Sequence, residues 1–100
     1  GPEAQKGFMS FSSDIAFVAT SGISIEKGLT TSDIFEAEVK KAMIKSAKKV
    51  IVVADSSKFL KNAMVSFCEL DKVSEIITSG EIDDEILKDF RQQGIEITVV

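Results

Sequence analysis

The residues best placed to do chemistry are Asp55, Ser56, Ser57 and Lys58, which follow directly on Val50, Ile51, Val52, Val53 and Ala54. The five apolar residues are too few for a helix and do not alternate with polar ones. They read as a strand buried on both faces, the kind found inside a parallel sheet. In open α/β sheets, ligands bind outside the carboxyl ends of such strands. An acid, two hydroxyls and an ammonium at that place form an edge suited to a phosphate or a sugar. A second reading of the same residues stands beside it: Asp55 or Ser56 caps a short following helix, and Lys58 is solvated.

Composition narrows the chemistry further. The chain has 100 residues, 44% hydrophobic and 28% charged, with no histidine and one cysteine. That is the composition of one modest globular domain with a core. Without histidine the commonest general base is missing, and Cys68 has no imidazole to activate it. A buried, inert thiol in a reducing compartment is the expectation for Cys68, so a cytoplasmic location follows and a disulfide scaffold is excluded. No ligand set for zinc or another transition metal stands out, and no cofactor motif is present. No apolar run approaches membrane-spanning length and no signal peptide is evident, so a membrane partner is not expected. The net charge is −4, but it is uneven: residues 33–61 carry seven lysines against four acids, and residues 62–100 carry nine acids against three bases. A mildly basic middle suits a small anion, or is simply a solvated helix face. It does not suit nucleic acid, since no basic stripe alternates with aromatics.

The elements that must hold these residues can be read in order. Residues 3–11 suggest a short amphipathic helix, and residues 15–20 a second buried strand. Ser21-Gly22-Ile23-Ser24 reads as a loop at that strand's carboxyl end, and Glu26-Lys27-Gly28 as a turn. Residues 33–48 make the clearest helix, capped by Ser32 or Asp33, with Phe35, Val39, Ala42, Met43 and Ala47 on the inward face. Residues 63–68 and 75–78 are shorter strands. Asp83 caps a helix to about Gln93 with Ile86, Leu87 and Phe90 inward, and Gly94 fits the position just past its end. Residues 95–100 close as a strand. The alternation predicts an α/β fold, a mostly parallel sheet with flanking helices.

Five spaced motifs carry a family resemblance: Asp14-Ile15-Ala16-Phe17, Thr20-Ser21-Gly22-Ile23-Ser24, Gly28-Leu29-Thr30, Glu36-Ala37-Glu38-Val39-Lys40 and Asp55-Ser56-Ser57-Lys58-Phe59. In order and spacing they resemble the C-terminal sensor domain of DeoR-type bacterial transcription regulators. Gly1-Pro2-Glu3-Ala4 also looks like a segment of that domain, and the last thirty residues match mainly by pattern. The resemblance implies a fold similar to ribose-phosphate isomerases and sugar-phosphate deaminases. It implies an effector-sensing domain of a repressor of carbohydrate metabolism, not an enzyme. The effector would be a phosphorylated sugar or related metabolite. Operator DNA would be a partner only through a separate helix-turn-helix domain, absent from residues 1–100, and the first half of the sensor domain is absent too.

Carried over residue by residue, the family's site implies ligand-binding roles for Asp14, Ser21, Gly22, Gly28, Thr30, Glu36, Asp55, Ser57 and Lys58. Asp14, Ser21 and Gly22 would share one strand-end loop. Gly28 and Thr30 would lie on the next, Glu36 just inside the helix, and Asp55, Ser57 and Lys58 on a third edge. Carboxylates accept from sugar hydroxyls, helix N-termini favour phosphate, and lysine supplies a point charge. Structural roles compete: Asp14 and Glu36 as capping or pairing groups, Gly22 and Gly28 as turn residues. Two other functions remain open from sequence. One is a sugar-phosphate isomerase-like enzyme fragment using Asp14 and Glu36 as acid and base. The other is a dimerising module, a homo-oligomer paired through the apolar final strand.

Overall fold

The computed structural model describes residues 13–100. The expected helix at residues 3–11 lies outside them. The order is β1 (Ser13–Val18), β2 (Gly22–Ser24), β3 (Gly28–Thr31), α1 (Ile34–Ser46), β4 (Ala47–Asp55), a 3-10 turn (Ser56–Lys58), β5 (Val65–Cys68), a second 3-10 turn (Leu70–Lys72), β6 (Glu75–Ser79), α2 (Asp84–Gln92) and β7 (Glu96–Val99). The fold is α/β. A four-stranded sheet in the order β1-β4-β6-β7 is parallel throughout, and a three-stranded sheet, β2-β3-β5, is antiparallel.

The parallel sheet is centred on β4. Its register sets Ala16 beside Val50, Val18 beside Val52, Val52 beside Ile76, and Ile76 beside Ile97. Cross-strand partners share a face, so these six residues form one apolar row, and all six are buried. The core continues through Ala37 of α1, Phe90 of α2, and Ile23, Leu29 and Phe67 of the small sheet. Phe59 and Phe90 meet edge to face with centroids 5.1 Å apart. The opposite face of the parallel sheet differs. Phe17 is 58% exposed and Val53 49%. The expectation that 50–54 is buried on both faces is therefore corrected: Val50, Ile51 and Val52 are buried, while Val53 and Ala54 are not.

Helix α1 starts where expected, because Asp33 is extended and its Oδ1 accepts from the Phe35 N–H at 2.7 Å. It ends two residues early. Ala47 is already extended (φ −97°, ψ 147°), and β4 begins there without a loop. The cause is pairing: Ala47 lies opposite Ser13, so β1 draws residues 47–49 into the sheet. The inward face also differs from expectation. Ala37 is fully buried and Met43, Ile44 and Ala47 pack on the core, but Phe35 is 81% exposed and Val39 is exposed. Apolar residues occupy two sides of this helix, and the side carrying Ala37, Met43 and Ile44 meets the core.

The second correction concerns residues 22–31. Gly22–Ser24, expected as a loop, is a buried strand paired with the buried strand Gly28–Thr31, and the turn expected around Glu26-Lys27-Gly28 joins the two through exposed residues 25–27. Short Gly- and Thr-containing strands covered on both sides show no alternation, so periodicity cannot reveal them. Gly28 takes φ +71°, and a Cβ there would collide with the Cys68 carbonyl. α2 matches expectation throughout: Asp83 caps it by accepting from the Glu85 N–H at 2.8 Å, Phe90 is fully buried, and Gly94 takes φ +85° just beyond its end.

The two phenylalanines separate in a urea unfolding experiment. Phe90→Ala should cost about 3–5 kcal/mol through lost burial and a residual cavity, whereas Phe35→Ala should change stability by about 0.5 kcal/mol or less. Equal losses would contradict this assignment of the helix faces.

Candidate functional site

The carboxyl ends of β1, β4 and β6 point the same way, because the strands are parallel. A cleft of about 300 Å³ opens there. Thr20 comes from the end of β1, Asp55 and Lys58 from the end of β4, Thr78 and Ser79 from the end of β6, and Val100 lies beyond β7. This is the strand-end position at which open parallel sheets bind ligands.

Each polar side chain can be followed to its partners. Asp55 is the N-cap of the 3-10 turn: its Oδ1 accepts from the Ser57 N–H at 2.9 Å and from the Ser57 hydroxyl. These bonds stabilise the ionised carboxylate. The Ser57 hydroxyl, then the Ser57 N–H, with smaller help from Lys58 and Lys61, hold the Asp55 carboxyl below the ordinary carboxylate range. So the capping reading holds, and Asp55 and Lys58 line the cleft as well. Ser57 reaches the site by fixing Asp55.

Ser21, Gly22 and Thr30 lie behind the cleft wall. The Ser21 N–H donates to the Thr30 carbonyl at 2.9 Å. The Thr20 hydroxyl is shared between the carbonyls of Gly22 (2.8 Å) and Thr30 (2.9 Å), which fixes this cleft-lining residue. Thr30 is fully buried, and its Oγ1 accepts from the Ala63 N–H at 2.9 Å. A Cβ at Gly22 would collide with the Lys61 carbonyl and stand 2.6 Å from Thr30 Oγ1, so only glycine fits. These residues build the frame that holds Thr20.

Three expected site residues are placed elsewhere. Asp14 is not on a strand-end loop with Ser21. It sits at the amino end of β1, where its Oδ1 pairs with Lys48 Nζ at 3.5 Å, both strongly exposed. Such a pair is worth about 0–1 kcal/mol. Gly28 sits at the hairpin turn against Cys68. Glu36 accepts from the Thr31 hydroxyl at 2.9 Å, tying the start of α1 to the end of β3. The acid and base of the isomerase reading, Asp14 and Glu36, are thus each engaged in a separate local contact.

Thr20, Thr78, Ser79 and Val100 also line the cleft, although the sequence reading did not single them out for it. The signal for Thr78 and Ser79 was available: they end a short apolar strand before Gly80, as Asp55 ends a longer one.

A larger groove of about 710 Å³ lies between α1 and β5, with Lys27, Lys41, Lys45 and Lys72 around it. Its size exceeds the strand-end cleft, but its lysines are exposed and Glu69 stands among them. Cys68 lines it, and burial pushes its thiol up to about 11. It is therefore a protonated, weakly nucleophilic thiol at neutral pH. Among the described residues no helix is long and apolar enough to cross a membrane.

The model of the DeoR C-terminal sensor domain matches residues 1–80. Among curated proteins, the chain is 32% identical over 97 residues to the HTH-type transcriptional regulator GlpR of Haloferax volcanii, covering 97% of this chain and 38% of that protein. It is 40% identical over 70 residues to the HTH-type transcriptional regulator IolR of Bacillus subtilis, covering 70% of this chain and 28% of that protein. It is 32% identical over 98 residues to the glycerol-3-phosphate regulon repressor of Haemophilus influenzae, covering 97% and 38%. The chain thus spans less than two fifths of the length of these relatives.

Carboxyl NMR titration tests the electrostatics. Asp55 should titrate below the ordinary value, and Ser57→Ala should move it up. Because the folded pKa is depressed, Asp55 favours folding above the unfolded value, near pH 4, and that contribution fades as pH falls through the folded pKa. An unmoved midpoint in Ser57→Ala would show that the hydroxyl does not set it.

Proposed function

Since the chain belongs to the DeoR C-terminal sensor domain family, whose matched relatives are named as transcriptional regulators and not enzymes, we propose that it is the effector-sensing part of a cytoplasmic repressor of carbohydrate metabolism. Its ligand is a phosphorylated sugar or polyol. The observation that carries this reading is the cleft at the parallel strand ends, where Lys58 and Asp55 stand side by side on one wall. The Lys58 ammonium meets the phosphate as a point charge, and the Asp55 carboxylate accepts from ligand hydroxyls. The name of the Haemophilus influenzae relative points to glycerol 3-phosphate as a first compound to try.

The wider assembly is part of the same proposal. The described strands belong to the C-terminal part of the sensor domain, and another part of that domain covers the sheet face carrying Phe17 and Val53. What supports this is the general rule that parallel sheets have both faces covered. Operator DNA is held by a separate helix-turn-helix domain. Ligand binds one arrangement of the sensor better than the other, and the resulting population shift alters DNA affinity.

The test is thermal unfolding of the complete polypeptide with glycerol 3-phosphate, ribose 5-phosphate and fructose 1-phosphate. One of them should raise the melting temperature, since ligand at a hundred times its Kd stabilises by about 2.7 kcal/mol. Lys58→Ala should remove the shift while the unliganded protein melts within about 2 °C of wild type. If no phosphorylated sugar or polyol moves the wild type, the sensing role assigned to this cleft is wrong.

A further inference from the structure

Thr78 is the one buried side chain among the described residues whose polar atom has no hydrogen-bond partner. It is 1% exposed and lines the strand-end cleft. Every other buried hydroxyl has a clear role. Thr20 bonds the Gly22 and Thr30 carbonyls, Ser24 bonds Asn62 at 2.6 Å, Thr30 accepts from the Ala63 N–H, and Thr31 bonds Glu36. Thr78 bonds through its backbone: its carbonyl accepts from the Val100 N–H at 2.8 Å. In the sheet it lies beside Ala54 on one side and Val99 on the other. Valine has the same shape, suits an apolar row, and would leave no hydroxyl unsatisfied. A buried hydroxyl without a partner shifts the folding equilibrium towards the unfolded state by a factor of about ten. The fold alone therefore gives no reason for threonine here.

We infer that Thr78 Oγ1 is the group that reads a hydroxyl of the bound ligand. This rests on the reading of the cleft as a sugar- or polyol-phosphate site. Lys58 follows the end of β4 and Thr78 stands near the end of β6, on adjacent strands. The ligand's phosphate lies towards Lys58, and a carbon-borne hydroxyl lies at Thr78. A threonine hydroxyl both donates and accepts, which matches a sugar hydroxyl and not a phosphate alone. Thr78 borders the cleft, so its hydroxyl lies next to the space the ligand would fill. The ligand then satisfies the one buried hydroxyl that the protein leaves unsatisfied, so the bond is gained only on binding.

Thr78→Val in the complete polypeptide separates this from a structural role. Without ligand the variant should melt higher than wild type, by about 2 °C. In calorimetry, its Kd for whichever of glycerol 3-phosphate, ribose 5-phosphate or fructose 1-phosphate binds wild type should weaken about tenfold. Its Kd for inorganic phosphate should be unchanged, and Thr78→Ser should keep affinity for the organic phosphate within about twofold. A Thr78→Val protein that melts below wild type would show that the hydroxyl serves the fold, overturning the inference. Wild-type affinity for the organic phosphate in Thr78→Val, or an equal loss for inorganic phosphate, would overturn it while leaving the cleft reading intact. Absence of binding by the wild type would remove the cleft reading and this inference together.

Discussion

Parallel pairing of β4 with β1 on one side and β6 on the other is the constraint on which the rest depends. It places three strand ends in one line, so Thr20, Asp55, Lys58, Thr78 and Ser79 converge from distant positions in sequence. The same pairing fixes which side of each strand meets the helices. Val52 is fully buried between Val18 and Ile76, and a shift of one residue would expose the whole row. It also ends α1, because β1 pulls Ala47 into extended backbone directly after Ser46. Site geometry, core and helix length thus share one cause.

What the sequence reveals follows from how local the cause is. The strand at 50–54 was legible because an uninterrupted β-branched run suits little besides the inside of a sheet. The helix starts were legible because caps are chemistry within three residues: Asp33 to Phe35, and Asp83 to Glu85. The inward face of α1 was not. Phe35 and Val39 are exposed, and the inward side carries Ala37, fully buried, with Met43 and Ile44 packed on the core. Residues 22–24 read as a loop because their burial comes from both sides and leaves no alternation. Asp14 lies away from the strand-end cleft for a topological reason: it opens β1, and the strand separates its two ends, so residues 19–20 and not Asp14 line the cleft.

Many of the expected site residues turn out to hold the frame, and this sharpens what the family motifs do. Gly22 admits the Lys61 carbonyl, Thr30 satisfies the Ala63 N–H, Ser57 holds Asp55, and Glu36 anchors Thr31. Each contact satisfies a polar group that burial or a turn would otherwise leave unpaired. Such contacts fix the backbone around the strand-end cleft.

Polar groups already saturated by the protein cannot discriminate between ligands, because their bonds are the same with or without one. Discrimination falls to the groups with capacity left over. At the strand ends these include the Lys58 ammonium, half-buried at the cleft, the second oxygen of the Asp55 carboxylate, and the Thr78 hydroxyl, buried and unpaired. They differ in what they contribute. The ammonium attracts any anion over several ångströms and gives affinity with little selectivity. The hydroxyl acts only at hydrogen-bond distance and only on a group that can answer it. On the proposed reading the effector is one phosphate among many of similar charge, and selectivity between them comes from the short-range groups. Under that reading two adjacent strand ends, one carrying charge and the other a buried neutral hydroxyl, divide the work between β4 and β6.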